Sequence, residues 1–579
     1  MLQIYPLPET SWHRANAQVP FITPSFESLL STSLAPGFSL GSGTPTFTRA
    51  TTAYQQDFEA KWNAVLSGEA RFQGARRVAN MLTAAQGSET IGNAEWISGG
   101  TPNRTIDTSD FPEQTTQSVQ FATAATDSGY QINGFFTIGN IYRTTLWIKG
   151  AVGNEKTYVT DGLNTGGELT ATVNWTRQSL QFTAANPALF IGPHISGTTI
   201  KYAGILIENV TGQTNQNPSE YVSVGVLSAP FHGANVDGVR YFDTLNGNTV
   251  ASNIVTETTG AKIVTGASGV SAVAPVDANG PFGYLSEGAR ADVLGTTTAI
   301  RRTMTDVGWV VGATMTVGTA TGIDGVPSVA ASLTGGAVTA TNTILFTTVL
   351  GSAQRTYGAW VRRKTGTGAI EMTDNGGTNW TDITASLNAT TYSLVQVTRT
   401  QANPIVGFRI TTNLDAIEVD FNTIEAAAFA NPTPVPVNVS KAADALTYST
   451  SGNISDTEGA TYAEITQSSW ANAPGTIVGD GTNGPLVPSS ANSGFIFKDG
   501  TNTVNGPVGA PSGVVKGAST WSGTTAQVAV GNNLGAAGSY DGAFGLATMG
   551  IGTSGFGSTR AARVYPRDVR APFLQAITG

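Results

Sequence analysis

Short runs in which apolar and polar residues alternate dominate the chain. Thr144-Thr145-Leu146-Trp147-Ile148 and residues 201–207 concentrate β-branched and aromatic side chains, as do residues 394–398 and 407–410. Within residues 416–421 the alternation puts Ile417, Val419 and Phe421 on one face of a half-buried strand. Further strands are predicted at 461–465 and 561–565, and turn signals such as Asn246-Gly247 and Asp374-Asn375-Gly376-Gly377 separate the runs. Two stretches depart from this period. In residues 54–66, Phe58, Trp62, Val65 and Leu66 fall at i, i+4, i+7 and i+8 with Gly68 behind them, which predicts a short amphipathic helix. Residues 567–578 are compatible with a second. The expected fold class is all-β: a multidomain chain of antiparallel β-sandwiches with one short helix near 54–66.

The pattern also repeats. Gly74-Ala75-Arg76 recurs as Gly288-Ala289-Arg290, Leu146-Trp147-Ile148-Lys149 as Ala359-Trp360-Val361-Arg362, and Ala185-Asn186-Pro187 as Ala402-Asn403-Pro404, at offsets of 214, 213 and 217 residues. Three matches at nearly one spacing point to an internal duplication. The duplication divides the chain into an N-terminal arm (1–45), a small connector with the helix (46–91), module 1 (92–225), a β connector (226–295) and module 2 (296–430). Asn431-Pro432-Thr433-Pro434-Val435-Pro436 is then expected as a stiff extended linker before a final domain, 437–579.

Composition removes many functions. The 579 residues contain no Cys, which excludes disulfides, thiolate metal sites and cysteine nucleophiles, and only three widely spaced His (His13, His194, His232). Charged residues are just 12% of the chain and the net charge is −9 with no Lys/Arg run, so neither nucleic acid nor an anionic membrane is an expected partner. No apolar stretch reaches transmembrane length, and the Pro-rich start does not read as a secretory signal, so synthesis in a cytoplasm is expected. Walker A, GxSxG and dinucleotide fingerprints find no support. Asp456-Thr457-Glu458 and Asp480-Gly481-Thr482-Asn483 offer oxygen ligands, yet neither has calcium-loop spacing. No catalytic residue, cofactor or metal is assigned.

Pro45-Thr46-Phe47-Thr48-Arg49-Ala50-Thr51-Thr52-Ala53-Tyr54 resembles the F-T-R-A opening of tailed-bacteriophage virion proteins of the head-spike or head-fibre type. Glu287-Gly288-Ala289-Arg290-Ala291-Asp292-Val293-Leu294 resembles the E-x-A-R-x-N-L-L segment that follows it in that family, with Asp292 where the family has Asn. Residues 219–227 and 241–248 look like another recurrent phage virion segment. The two long halves resemble carbohydrate-binding-module jelly rolls, and Arg560-Ala561-Ala562-Arg563-Val564-Tyr565-Pro566-Arg567-Asp568-Val569 is similar to the final strand and helix of concanavalin-A/laminin-G-like domains. The resemblance implies a virion fibre or spike on head or tail, homotrimeric, bound to other virion proteins and presenting lectin-like domains to host-surface glycans. A capsid decoration protein is the alternative, and a polysaccharide depolymerase a more distant one.

Within that expectation, Trp147 and Trp360 occupy equivalent strand positions and read as core residues. Trp175 and Trp380 follow turns and are the candidate glycan contacts, although a Trp capping a hairpin fits the same pattern. Thr373-Asp374-Asn375-Gly376-Gly377-Thr378-Asn379-Trp380 resembles a single Asp-box hairpin and reads as a tight turn. In the arm, Trp12, Phe21 and Phe26 are the candidate virion-docking residues.

Overall fold

The computed structural model describes residues 23–28, 41–43, 45–57, 60–100, 102–112, 115–162, 167–213, 216–219, 221–225, 238–242, 253–258, 261–266, 271–272, 283–427, 429–431, 433–437, 440–467, 475–489, 494–509, 513–553, 556–569 and 571–579. Trp12, Phe21 and the Asn246-Gly247 turn lie outside them. The chain divides into two compact units, Leu29–Ser39 with Gly74–Gly283, and Met1–Ser28 with Leu40–Gln73 and Tyr284–Gly579. Among the described residues nearly all regular structure is antiparallel strand; the α-helices are Thr298–Arg301 and Ala571–Thr578, the latter within the stretch expected to close the chain. No described helix is long and apolar enough to cross a membrane.

Module 1 is a pair of five-stranded sheets. One runs Ile97–Gly99, Gly129–Ile132, Leu189–Pro193, Lys156–Thr160, Glu168–Thr170; the other runs Thr176–Thr183, Ile141–Gly150, Thr199–Asn209, Ser118–Thr123, Pro102–Asp107. Between them Phe121, Tyr130, Leu146, Ile191, Ile200 and Tyr202 are buried in one core. Module 2 repeats this order strand for strand. Trp309–Val311, Thr343–Thr347, Ile405–Ile410, Ile370–Thr373 and Thr381–Asp382 form one sheet, and Ser393–Gln401, Ala353–Thr365, Ala416–Glu425, Ala330–Thr334 and Thr316–Ala320 the other. The duplication is thus a duplication of fold, with period-2 burial supplying each core.

Both copies carry a β-bulge opposite their equivalent Trp, Trp147 and Trp360. The register shifts between Thr145 and Trp147 in module 1 and between Gly358 and Trp360 in module 2. The extra residue is Gly204 at φ +54° in the first and Phe421 at φ +47° in the second. This corrects the simple alternation: Ile417 and Val419 enter the core of module 2, while Phe421 is turned by the bulge toward Tyr54, ring centroids 5.2 Å apart.

The predicted helix at 54–66 is instead a hairpin of Ala53–Gln56 and Trp62–Val65. Asp57 decides it. Its Oδ1 accepts the Lys61 N–H at 2.9 Å and its own N–H donates to the Lys61 carbonyl at 2.9 Å, closing a loop in which Ala60 adopts φ +60°. Trp62 then packs edge-on against Trp360 at 5.3 Å, an arrangement a helix period does not require.

The final domain also departs from its expected boundaries. A nine-stranded sheet built on Glu458–Gln467, Val514–Ser522 and Phe556–Tyr565 takes in Phe26–Ser28, Arg71–Gln73 and Gly283–Glu287, and a seven-stranded sheet takes in Thr46–Thr48 beside Ala445–Tyr448. Rings of Phe497, Trp521, Tyr540 and Phe544 meet at 5.1–6.3 Å. Residues 26–28 are therefore part of a sheet and not of a docking arm: Phe26 pairs with Val564, is fully buried and packs on Tyr448 at 4.9 Å. Nor is the Pro-rich segment a free linker, for Thr433 and Val435 are buried and the Val435 and Pro436 carbonyls accept from Arg301 at 2.9 and 2.7 Å.

Candidate functional site

The residues of the phage-like motifs are structural. Arg49 and Arg71 both bind Asp444, Arg71 also binds Glu287 at 2.9 Å, and Lys441 lies 3.6 Å from Glu287 and 3.4 Å from Asp444, all five side chains fully buried. The surrounding cations hold the Asp444 carboxyl well below its ordinary range despite burial, while burial lowers Lys441. Nearby, burial raises Glu425 to about 7 and raises Asp292 as well, against the opposing pull of Arg290 and Arg301 respectively. Each of these carboxyls is matched to a guanidinium inside the fold, an arrangement that ties distant segments together.

Trp147 and Trp360 lie on the outer faces of their sheets, opposite the sandwich cores, yet both are covered. Tyr221 meets Trp147 at 5.5 Å, the Arg177 guanidinium lies 5.1 Å from the Trp147 ring, and Trp62 covers Trp360. They belong to small secondary cores.

Trp175 is a half-buried aromatic of module 1. It immediately precedes the strand Thr176–Thr183, and the pairing of Ile148 with Thr176 brings it beside Lys149, which is opposite Lys201 on the next strand. The Trp175 indole N–H donates to Asp110 Oδ1 at 2.9 Å. Lys149 Nζ donates to Asp110 at 2.9 and 3.1 Å, and Lys201 Nζ donates to Asp110 and Asp107, each at 2.7 Å. These four charged side chains are 20–31% exposed. Hydrogen bonds from Lys201 lead the causes that depress both carboxyls, Asp110 to about 2 and Asp107 further; burial works against the Lys201 ammonium, but the two carboxylates raise it. Phe111, next in the chain, is itself exposed.

Trp380 is placed differently. Gly377 lies so close that a Cβ there would sit 2.8 Å from the indole, and the Arg409 guanidinium lies 4.6 Å from the ring centroid while binding Glu371 at 2.5 Å. The position that corresponds to Trp175 is Tyr392, 217 residues on, beside the Arg362–Glu418 pair just as Trp175 is beside Lys149 and Lys201. The Tyr392 hydroxyl donates to the Thr321 carbonyl at 2.8 Å and the Arg362 guanidinium lies 4.8 Å from its ring.

Sequence reasoning missed Lys149, Lys201, Asp107, Asp110 and Tyr392. A signal existed for the lysines: in a chain with so few charges, each falls at an outward position of a long strand. Asp107, the last residue of the strand Pro102–Asp107, and Asp110, in the loop after it, close the set, which no periodicity reveals. Among the described residues no group of three or more metal-ligating side chains comes together. Asp480 Oδ1 accepts from the Thr482 and Asn483 backbones and so closes a turn, while Asp456 Oδ1 accepts from the Phe544 N–H and ties two distant segments together.

No protein-family model matches the chain, and no curated protein matches it. Among solved structures it is similar to the tandem CBM22-1-CBM22-2 domain of Xyn10C from Paenibacillus barcinonensis, at 10% identity and TM-score 0.19, covering 60% of this chain and 99% of that one. The single CBM22-1 xylan-binding domain of the same protein aligns at 12% identity and TM-score 0.19 over 24% of this chain and 99% of that one. The extracellular domain of ANXUR2 from Arabidopsis thaliana aligns at 9% identity and TM-score 0.14, covering 62% of this chain and 100% of that one.

Proposed function

We propose that this chain is a non-enzymatic component of a tailed-phage virion, a homotrimeric fibre or spike on head or tail that binds other virion proteins and holds host-surface glycans on module 1. The virion assignment rests on the F-T-R-A and E-G-A-R segments. The adhesive assignment rests on one observation: Trp175 is held by its indole N–H on Asp110, beside two ammonium groups on a partly exposed sheet face. Sugars present C–H faces that stack on aromatic rings and hydroxyls that take charge-assisted hydrogen bonds, so an aromatic with adjacent fixed donors suits them. The same geometry argues against hydrolysis at this face. Glycosidic acid catalysis needs one carboxyl with a raised pKa, and Asp107 and Asp110 are both depressed. A single shallow site is weak, and multiple copies on a particle would raise its avidity by about 10² or more.

A glycan array probed with the full chain tests this reading. Wild type is expected to bind a discrete set of oligosaccharides and Trp175→Ala to lose about tenfold or more of that affinity with an unchanged melting curve. A wild-type protein that binds none, found lying flat on the shell by cryo-electron microscopy of particles, would replace the fibre with a capsid decoration protein.

A further inference from the structure

Asp110 has no hydrogen-bonding capacity left for a ligand. Its Oδ1 accepts from Trp175 Nε1 and Lys149, and its Oδ2 from Lys149 and Lys201, which fills the roughly four lone-pair positions of a carboxylate. Asp107 Oδ1 likewise takes the Ser109 N–H at 2.8 Å, the Ser109 hydroxyl at 2.7 Å and the Asp110 N–H at 3.2 Å. Lys201 uses two of its three N–H donors, on Asp107 and Asp110, and keeps one. Lys149 likewise uses two of its three on Asp110, and Asp107 Oδ2 accepts from Lys201 alone, so the free capacity of the face is one ammonium donor on each lysine, an acceptor position on Asp107 Oδ2 and the ring of Trp175, whose own N–H is engaged. Its charge is balanced, two ammonium groups against two carboxylates; Arg177, further along the sheet, is turned to Trp147 and to the Ser219 carbonyl.

Resting on the glycan reading above, we infer that Asp110 is the positioning and selectivity-determining residue of this face, and that the face takes neutral oligosaccharides in preference to uronate- or sialate-bearing ones. A neutral hydroxyl can accept a spare ammonium hydrogen while the C–H face of a hexose covers Trp175. A sugar carboxylate reaching the same ammonium must lie beside Asp110 and Asp107, two fixed anions it cannot neutralise.

The test is an array carrying neutral, uronate-bearing and sialate-bearing oligosaccharides, probed with the full chain at low and high salt. Wild type is expected on neutral spots with little salt dependence. Asp110→Asn exchanges one acceptor oxygen for an NH2 group, which loosens the hold on Trp175 and leaves one ammonium in excess, so neutral binding should fall about tenfold and salt-sensitive binding to the anionic spots should appear. The double variant Asp110→Asn/Lys149→Gln restores the charge balance and should lose the anionic binding again, an outcome that a folding defect does not produce. Wild type preferring anionic spots, or Asp110→Asn leaving the profile unchanged, overturns the inference while sugar binding stands. Wild type silent on every spot overturns the glycan reading itself.

Discussion

Modules 1 and 2 share strand order, pairing and bulge, yet they fill the outer faces of their sheets by opposite means. Where Trp147 is paired, module 1 has Ala203 and Gly204, small residues that leave room for the indole; a Cβ at Gly204 would come within 2.8 Å of it. Module 2 has Asp420 and Phe421 at the same places, and the Arg302 guanidinium binds Asp420 at 2.8 Å and lies 4.2 Å from the Phe421 ring centroid. On the other sheet the contrast recurs. Module 1 lines up Gly99, Gly129, Gly192 and Tyr158, whereas module 2 lines up Gly312, Thr343, Arg409 and Glu371. A duplicated fold has kept its core and diverged on its faces: in module 2 guanidinium groups lie over Phe421, Tyr392 and Trp380, while in module 1 Arg177 lies over Trp147 and Trp175 is held by its N–H on Asp110. Core positions are constrained by packing against both sheets, and outer positions only by what comes to cover them.

The largest effect should come from making module 2 resemble module 1 at its buried pair. Asp420→Ala copies Ala203 but leaves the Arg302 charge with only Asp324, 2.8 Å away and itself 9% exposed, to balance it. A cost of about 3–5 kcal/mol is expected, because removing one partner of a buried pair strands the other. Chemical unfolding should show the transition of the unit containing module 2 shifted and that of the other unit in place. Equal shifts in both, or none, would mean that the Arg302–Asp420 pair is not what holds this face.

The framework was readable in the sequence because it rests on period-2 burial and on the offset shared by Trp147 and Trp360. The hairpin at 53–65 was not, since Phe58, Trp62, Val65 and Leu66 satisfy a helical period by coincidence and the deciding contact, Asp57 with Lys61, is a local turn bond with no periodic signature. Phe421 misled for a related reason: a bulge reverses side-chain alternation, and an aromatic at φ +47° gives no warning of one, as Gly204 does. Of the candidate site, Trp175 was visible and its partners were not. Phe26 illustrates the opposite error, since an apolar side chain near a chain end serves equally for docking on a partner or for pairing with Val564 more than five hundred residues away.

Acidity should separate the two units, with a smaller amplitude. Glu425 faces Arg290, Asp292, Glu287 and the Asn431 N–H, and burial raises its pKa to about 7. The folded state then holds this proton up to about neutrality, while the unfolded chain releases it near the ordinary Glu value of about 4.3. Stability of that unit is therefore expected to fall by about 2–3 kcal/mol as pH rises from about 5 to about 8. Asp292 and Asp420, also raised by burial, act in the same direction. In the unit containing module 1, Asp107 and Asp110 are depressed, so their contribution is present above the ordinary Asp range and is lost only as pH falls toward 2. Melting curves at pH 5 and pH 8 should separate the units, and Glu425→Gln should flatten the dependence of its own. A slope unchanged in Glu425→Gln would assign the effect elsewhere.

The smallest effect is expected at Arg409, and it bears most directly on what divergence of the faces has done. Arg409 stands where module 1 has Gly192, and its ion pair with Glu371 is partly exposed, at 32% and 17%. Such pairs are worth about 0–1 kcal/mol, so Arg409→Ala should leave the melting temperature nearly unchanged. Its consequence should appear in the environment of Trp380 instead. With the guanidinium gone from above the ring, water reaches the indole, and Trp380 emission, isolated by difference against Trp380→Phe, should shift to the red and become accessible to a neutral quencher. If stability drops by several kcal/mol, the Arg409–Glu371–Trp380 set is part of the core and the contrast with Gly192 is one of packing. If emission does not move, the ring is covered by the Gly377 turn alone, and the cation has been recruited by Glu371 and not by the aromatic face.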